Sequence, residues 1–310
     1  MSVRPLIQDR AIIGMYYNRL EQGDLGWVND LAFEIESSQD TETLKWLGMP
    51  PGMREWIGGR HAKSFLDFNY SLANKDWEST IEYHERDLAE DKTGQLQVRI
   101  NEHADRALSH EAKLLSALIA DGESKICYDG QYYFDTDHAE GDSGTQSNDL
   151  TYDAATPAKP TVAEMEDAIL SSIEAMYGFK DDQGEPLNEG AASFGVMVPI
   201  NMWKTARAAV AADTIVQGGT ARDNLIRRFD DVKINIIVNP RLSWNTKFVT
   251  FRNDGSVKPF VKLMREPLTV DVLGAGSEYF FETRHVKVGL KKAGNIGFGM
   301  WQGAALTTFV

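Results

Sequence analysis

Asp135-Thr136-Asp137-His138 places two carboxylates and an imidazole within four residues. Such a set could ligate a divalent cation, with Asp129, Glu140 and Asp142 near in the chain. A calcium loop of the helix–loop–helix kind needs glycine at its sixth position and glutamate at its twelfth. Counted from Asp129 those are Phe134 and Glu140, so the glycine is missing. The plainer reading is an acidic turn whose Asp side chains bond their own backbone. A metal-dependent enzyme using Asp135, Asp137 and His138 is kept as the alternative. Cys127 could act as a nucleophile with a distant histidine, but beside Ile126 and Tyr128 it reads as a small buried apolar residue. The histidines at 61, 84, 103, 110, 138 and 285 show no pair at metal-ligand spacing. Gly294 to Gly299 lacks the strand–loop–helix context of a dinucleotide fingerprint. Gly218-Gly219-Thr220 lacks the lysine of a phosphate loop. The sequence therefore points to no catalytic residue, no cofactor and no metal.

The composition sets the outer bounds. A chain of 310 residues is long for one core and short for three, so two domains or one elaborate one are expected. Lys plus Arg is 32 against 46 Asp plus Glu, a formal net charge of −14. That balance argues against gripping nucleic acid by phosphate neutralisation and against docking on an anionic membrane. One cysteine excludes an internal disulfide and a multi-cysteine zinc or iron–sulfur site. No run of about 18 apolar residues is present to span a bilayer. Met1 to Pro5 lacks the apolar core of a signal peptide. These features lead to the expectation of a soluble protein made in a reducing compartment.

The elements that would position these residues are uneven in character. Residues 1–50 read as an extended arm with short helical pieces, and its large apolar residues are expected to pack on something other than their own unit. Lys63 to Ser71 and Asp76 to Tyr83 read as two strands of a long β-hairpin joined at Leu72–Lys75, which must lean on another element or another chain. Residues 93–121 carry the strongest helix signal, with Leu96, Ile100, Ala104, Ala107, Leu108, Leu115, Leu118 and Ile119 on one stripe. That helix would be about 40 Å long, a structural spine. From Asp121 to Asp153 nine acidic side chains face only Lys125, and this stretch reads as a long surface loop. Thr161-Val162-Ala163-Glu164 is a capping box ahead of a helix through Met165, Ile169, Ile173 and Met176. Phe194–Val198, Val232–Val238 and Lys247–Phe251 read as strands, the second nearly all apolar and hence central. Phe260–Met264, Leu268–Leu273, Tyr279–Leu290 and Ala304–Phe309 are strands of a closing β tail.

Trp46-Leu47-Gly48 through Arg54-Glu55-Trp56-Ile57-Gly58-Gly59-Arg60 sets large aromatics on an arm with no domain of its own. Packing on neighbouring subunits is the favoured reading, since Trp and Arg often dominate interfaces. Residues expected to make assembly contacts are Trp46, Arg54, Trp56, Arg60, Phe68, Tyr70 and Trp77. The order of arm, hairpin, spine helix, α/β unit and β tail resembles the α+β Hong Kong 97-type fold of tailed-phage major capsid proteins. The Trp46–Arg60 segment and Cys127-Tyr128-Asp129-Gly130-Gln131-Tyr132-Tyr133-Phe134-Asp135-Thr136-Asp137-His138 resemble the Mu-like phage major head subunit family, which usually has Phe where Tyr133 stands. The resemblance implies an arm at 1–57, an extended loop at 58–90, a peripheral domain of 91–122 plus 256–310, and an axial domain at 123–255. It implies a non-enzymatic, cofactor-free shell subunit forming hexamers and pentamers of an icosahedral head around double-stranded DNA. It also implies a portal, a separate scaffold protein, and a decoration protein as an open addition. Location would be the virion, after assembly in the bacterial cytoplasm. An encapsulin-like cellular compartment of the same fold is the other alternative.

Overall fold

The computed structural model describes residues 3–23, 26–44, 70–89 and 94–310. The spine forms as expected: α4 runs Gln95–Ala120, about 39 Å at 1.5 Å per residue. It begins after Gly94, whose φ of 71° only glycine adopts readily. Its stripe serves two cores. Leu96, Ile100 and Ala104 pack with Ile12 and Tyr16 of α1 (Val3–Gln22), and with Tyr83 of β4 (Lys75–His84). Ala112, Leu115 and Ile119 join the larger core that fills the rest of the molecule.

Two sheets organise these cores. The four-stranded sheet has the order β1-β11-β12-β4, where β1 is Ala32–Glu36, β11 is Phe260–Leu273 and β12 is His285–Phe298. β11 and β12 form one long antiparallel hairpin. Its ladder shifts register between Met264 and Glu266 and again before Thr269. Pro267 lies in that gap and has no N–H to donate, which fits a bulge there. The five-stranded sheet has the order β5-β13-β10-β6-β9, comprising Asp149–Tyr152, Ala304–Phe309, Lys247–Arg252, Ser193–Val198 and Lys233–Val238 respectively. Helices α5 (Val162–Tyr177) and α6 (Trp203–Ala211) cover it. Thr161 and Glu164 make the expected capping box, with Glu164 N–H donating to Thr161 Oγ1 and Thr161 N–H to Glu164 Oε2.

Several expectations are corrected. Within the described residues, 70–83 is not a hairpin. β3 (Tyr70–Ala73) pairs with β2 (Thr41–Leu44), whereas β4 pairs with β12 in the other sheet. Leu72 of β3 and Tyr83 of β4 are buried in different cores, so each strand finds more apolar cover apart than together. Residues 63–69 of the expected first strand lie outside the described residues. The arm is not unpartnered: Ile12, Tyr16, Val28, Leu31 and Leu44 are all buried in this chain. Arg19 makes a two-pronged ion pair with Asp105 of α4, and β1 runs parallel to β11. β9 is an edge strand rather than a central one, and its isoleucines are partly buried against the core. β13, assigned to the peripheral part, is instead an interior strand of the five-stranded sheet, where all its side chains but Thr308 are buried. Residues Glu278–Thr283 form helix α7 because the Ser277 Oγ accepts from Phe280 N–H and starts a helical turn.

Candidate functional site

The stretch 121–148 is the largest correction. It is irregular, and instead of lying wholly on the surface it sends Cys127, Tyr128, Tyr133, Phe134, His138 and Glu140 into the interior. Its chain direction is set locally. Cys127 N–H donates to the Gln131 carbonyl at 2.8 Å, and Ile126 bridges to Tyr132, closing a tight turn. Gly130 takes a φ of 91° at that turn, and Asp129 Oδ1 accepts from Gln131 N–H at 3.1 Å. Tyr133 and Phe134 then enter the core. Tyr133 stacks on Phe298 with centroids 4.4 Å apart, and its hydroxyl donates to the Pro259 carbonyl at 3.0 Å.

His138 turns inward from the same loop. Its Nδ1 lies 2.6 Å from Asp129 Oδ2, its Nε2 lies 3.2 Å from Asn148 Oδ1, and its ring stacks on Trp301 at 4.1 Å. The protons can be assigned from Asn148. The Asn148 Nδ2 donates to the Tyr133 carbonyl at 2.8 Å, and its Oδ1 accepts from Asp135 N–H at 2.9 Å. Asn148 Oδ1 can therefore only accept from His138, so Nε2 carries a proton. Both ring nitrogens thus face oxygen acceptors, Nδ1 the Asp129 carboxylate and Nε2 the Asn148 side chain. Burial pushes the Asp129 carboxyl up, but hydrogen bonds from His138 and Cys127 outweigh it and hold the carboxyl below its ordinary value. Burial, reinforced by Asp129, pushes the Cys127 thiol far up, so it stays protonated and donates to Asp129 Oδ1 at 2.9 Å.

Next to this trio sits a buried carboxylate. Glu140 Oε1 accepts from Tyr128 Oη at 2.5 Å, Trp301 Nε1 at 2.9 Å and Gln302 Nε2 at 3.2 Å. Burial raises its pKa, and those donors only partly offset the effect. The side chain of Asn188 binds the backbone carbonyls of Met176 and Gln302, so the 301–302 turn is gripped from two sides. This polar junction joins the C-terminal end of α4 to both sheets.

The set expected for a divalent cation is not brought together. Asp135 accepts from the backbone N–H groups of Tyr132 and Thr136, as in an acidic turn. Asp137 is fully exposed, and hydrogen bonding with Asp135 raises its pKa. His138 points the other way, into the core. Of the expected assembly residues, Trp46, Arg54, Trp56, Arg60 and Phe68 lie outside the described residues. Tyr70 is half-buried, and its hydroxyl accepts from Phe298 N–H at 3.1 Å. Trp77 is half-buried too; its Nε1 donates to the Gly294 carbonyl at 2.9 Å and its ring meets His110 edge-on.

The sequence reading missed an exposed apolar set. Ile200 (61% exposed), Trp203, Val216 (66%), Leu225 and Phe229 all fall within residues 200–229, and Phe281 on α7 is 85% exposed. A groove of about 690 Å³ lies between Leu170, Ile173 and Tyr177 of α5 and Phe229, Val232 and Ile234. A run of apolar residues at non-periodic positions between 200 and 229 was the available signal.

This framework of two sheets, a spine helix and a long β11–β12 hairpin superposes on solved phage capsid subunits. The procapsid of bacteriophage JBD30 superposes with a TM-score of 0.57 at 21% identity, covering 100% of this chain and 77% of that one. The fold is the α+β Hong Kong 97-type capsid fold. Residues 11–159, which include the whole of the Cys127–His138 motif, match the family described as Mu-like prophage major head subunit gpT. This chain resembles Mu-like major head subunits. The Mu-like prophage FluMu major head subunit of Haemophilus influenzae is 35% identical over 112 residues, and the major capsid protein of Escherichia phage Mu is 34% identical over 110 residues. Each aligned segment covers 36% of this chain and 36% of the relative, so the match spans about a third of either curated protein. The matched family and both relatives are structural components of phage heads. No helix among the described residues is long and apolar enough to cross a membrane.

Proposed function

We propose that this chain is the major capsid subunit of a Mu-like tailed phage or prophage, assembling with copies of itself into a closed shell around double-stranded DNA. The observation that carries this reading is the combination of a capsid fold with a head-subunit match centred on residues 11–159. The exposed apolar set supports it. Ile200, Trp203, Val216, Leu225 and Phe229 are large apolar side chains left exposed within one segment, and burying them against a protein partner would remove that surface from water. β9, at the edge of its sheet, offers a further backbone edge for pairing with another chain. A shell of five- and six-fold rings needs such heterologous contacts on every subunit.

The remaining roles follow from this proposal. Hexamers and pentamers would be the assembly units, with a separate scaffold protein, a portal and a decoration protein as partners. Trp46, Arg54, Trp56, Arg60, Phe68, Tyr70 and Trp77 would contribute to contacts between subunits. The residue ranges 1–57, 58–90, 91–122 with 256–310, and 123–255 would serve as arm, extended loop, peripheral and axial parts, with 304–309 transferred to the axial sheet. The net charge of −14 would leave packaged DNA free to slide. No catalytic role is assigned. The test is electron microscopy of the purified protein co-expressed with its scaffold. Closed particles tens of nanometres across are the expected result, and a well-folded monomer at high concentration would overturn it.

A further inference from the structure

The buried trio of Cys127, Asp129 and His138 has a feature that its hydrogen bonds alone do not require. The Cys127 Sγ, a His138 ring nitrogen and an Asp129 oxygen all lie within 4.8 Å of one another. We propose that this trio is a binding site for a zinc-class transition-metal ion, with Sγ, Nδ1 and the Asp129 carboxylate as ligands.

Donor chemistry selects the metal class. One thiolate, one imidazole and one carboxylate form a borderline-soft set that suits zinc, whereas calcium and magnesium demand oxygen ligands. The carboxylate turns one oxygen toward Sγ and the other toward Nδ1, at 2.9 and 2.6 Å. Both are therefore aimed into the space the ion would take, and the trio can offer up to four donor atoms.

Charge balance makes the exchange feasible in a buried place. A divalent ion binds once the S–H and any proton on Nδ1 have left to solvent, leaving a thiolate, a neutral imidazole, a carboxylate and M²⁺, which sum to zero. The bound state buries no uncompensated charge, so binding avoids the penalty that burying a lone ion would carry.

The surroundings hold the ligands as metal ligands are usually held. Nε2–H of His138 donates to Asn148 Oδ1, which fixes Nδ1 as the nitrogen facing the trio. Gln131 N–H donates to the Asp129 carboxylate, and the Trp301 ring covers one face of the imidazole. The exposed pair Asp135 and Asp137 has none of this support. The ion would tie Cys127 and Asp129 to His138 within one loop, in a chain whose single cysteine can form no internal disulfide.

The test uses the full-length chain, as assembled particles or purified subunit. Elemental analysis should find about one zinc per chain, or chelator-treated protein should take up one equivalent of Co²⁺. Bound Co²⁺ should give a thiolate-to-cobalt absorption band in the near ultraviolet, with tetrahedral ligand-field bands in the visible. Cys127→Ser should abolish the near-ultraviolet band and weaken binding at least tenfold, while Asp135→Asn with Asp137→Asn should change neither. Folded wild-type protein that contains no zinc and shows no cobalt band overturns the proposal. A band that persists in Cys127→Ser, or binding lost only in the Asp135/Asp137 variant, overturns it as well. The wild-type titration needs no variant, so a Cys127→Ser chain that fails to fold leaves the proposal open to refutation.

Discussion

The irregular 127–148 loop with Trp301 and Gln302, and the 200–229 segment that carries α6, meet their needs in opposite ways. In the first, polar side chains are buried and each named group has a partner inside the chain: His138 with Asp129 and Asn148, Glu140 with Tyr128, Trp301 and Gln302. In the second, large apolar side chains stand in solvent. The contrast separates what a subunit needs in order to fold from what it holds in reserve for other copies. A buried polar network tolerates no missing member, because each donor left unpaired costs about 1–3 kcal/mol. An exposed apolar side chain contributes almost nothing to the isolated fold and gains its value on association.

The largest expected effect lies at Trp301. Trp301→Ala removes the ring under His138 and the donor to Glu140, and should destabilise the subunit by about 3–5 kcal/mol in chemical denaturation. In contrast, Trp203→Ser with Val216→Ser should change subunit stability by no more than about 0.5 kcal/mol while depleting particles in sedimentation. If both variants lose stability equally, the division between the two regions fails.

Glu140→Ala is expected next. It leaves Trp301 Nε1 and Gln302 Nε2 without their acceptor and should cost about 1–3 kcal/mol for each buried donor stranded, read from the denaturation midpoint. Glu140→Gln keeps an acceptor oxygen and should be milder.

A pH series sharpens the same comparison. Glu140 has a folded-state pKa above its ordinary 4.5, so its charge opposes folding at neutral pH. As pH falls from that raised value toward 4.5, the folded state takes up the proton first and stability rises. Asp129 runs the other way. Its folded pKa is below its ordinary 3.8, so its contribution is complete above 3.8 and is lost as pH falls through the depressed value. Asp129→Asn should therefore flatten the acid limb below about pH 4, and Glu140→Gln should remove the gain above it. The exposed 200–229 set should leave the profile unchanged.

Within the buried junction the smallest effect is expected at Tyr133. Tyr133→Phe keeps the stack on Phe298 and loses only the bond to the Pro259 carbonyl, about 0.5–1.5 kcal/mol by thermal or chemical denaturation. A larger loss would mean that the hydroxyl is a structural tie of the junction.

Much of the fold was legible where the signal is local. The stripe of α4, the Thr161–Glu164 box, and strands β6 and β10 follow from side-chain period and capping within a few residues. Pairing partners were not legible. The 70–83 strands looked like a hairpin because they are adjacent in sequence, yet they joined different sheets when separate cores gave each better cover. β9 looked central because it is apolar, but an apolar strand at an edge reads the same until its neighbours are known. The acidic count over 121–153 suggested a wetted surface. That inference failed because the buried carboxylates there, Asp129 and Glu140, are matched by donors from His138, Cys127, Tyr128, Trp301 and Gln302.

The amino-acid order by itself set the spine helix, the capped α5, the acidic turn at Asp135 and the motif that led to a head-subunit resemblance, because backbone preference and side-chain period act over a few residues. Only the tertiary structure decided that β13 sits inside the five-stranded sheet, that the arm folds against α4, and that His138 leaves Asp135 and Asp137 to meet Cys127 and Asp129. The physical reason is that burying a charge depends on which donors surround it. For the junction those come partly from Trp301 and Gln302, more than 150 residues further along the chain.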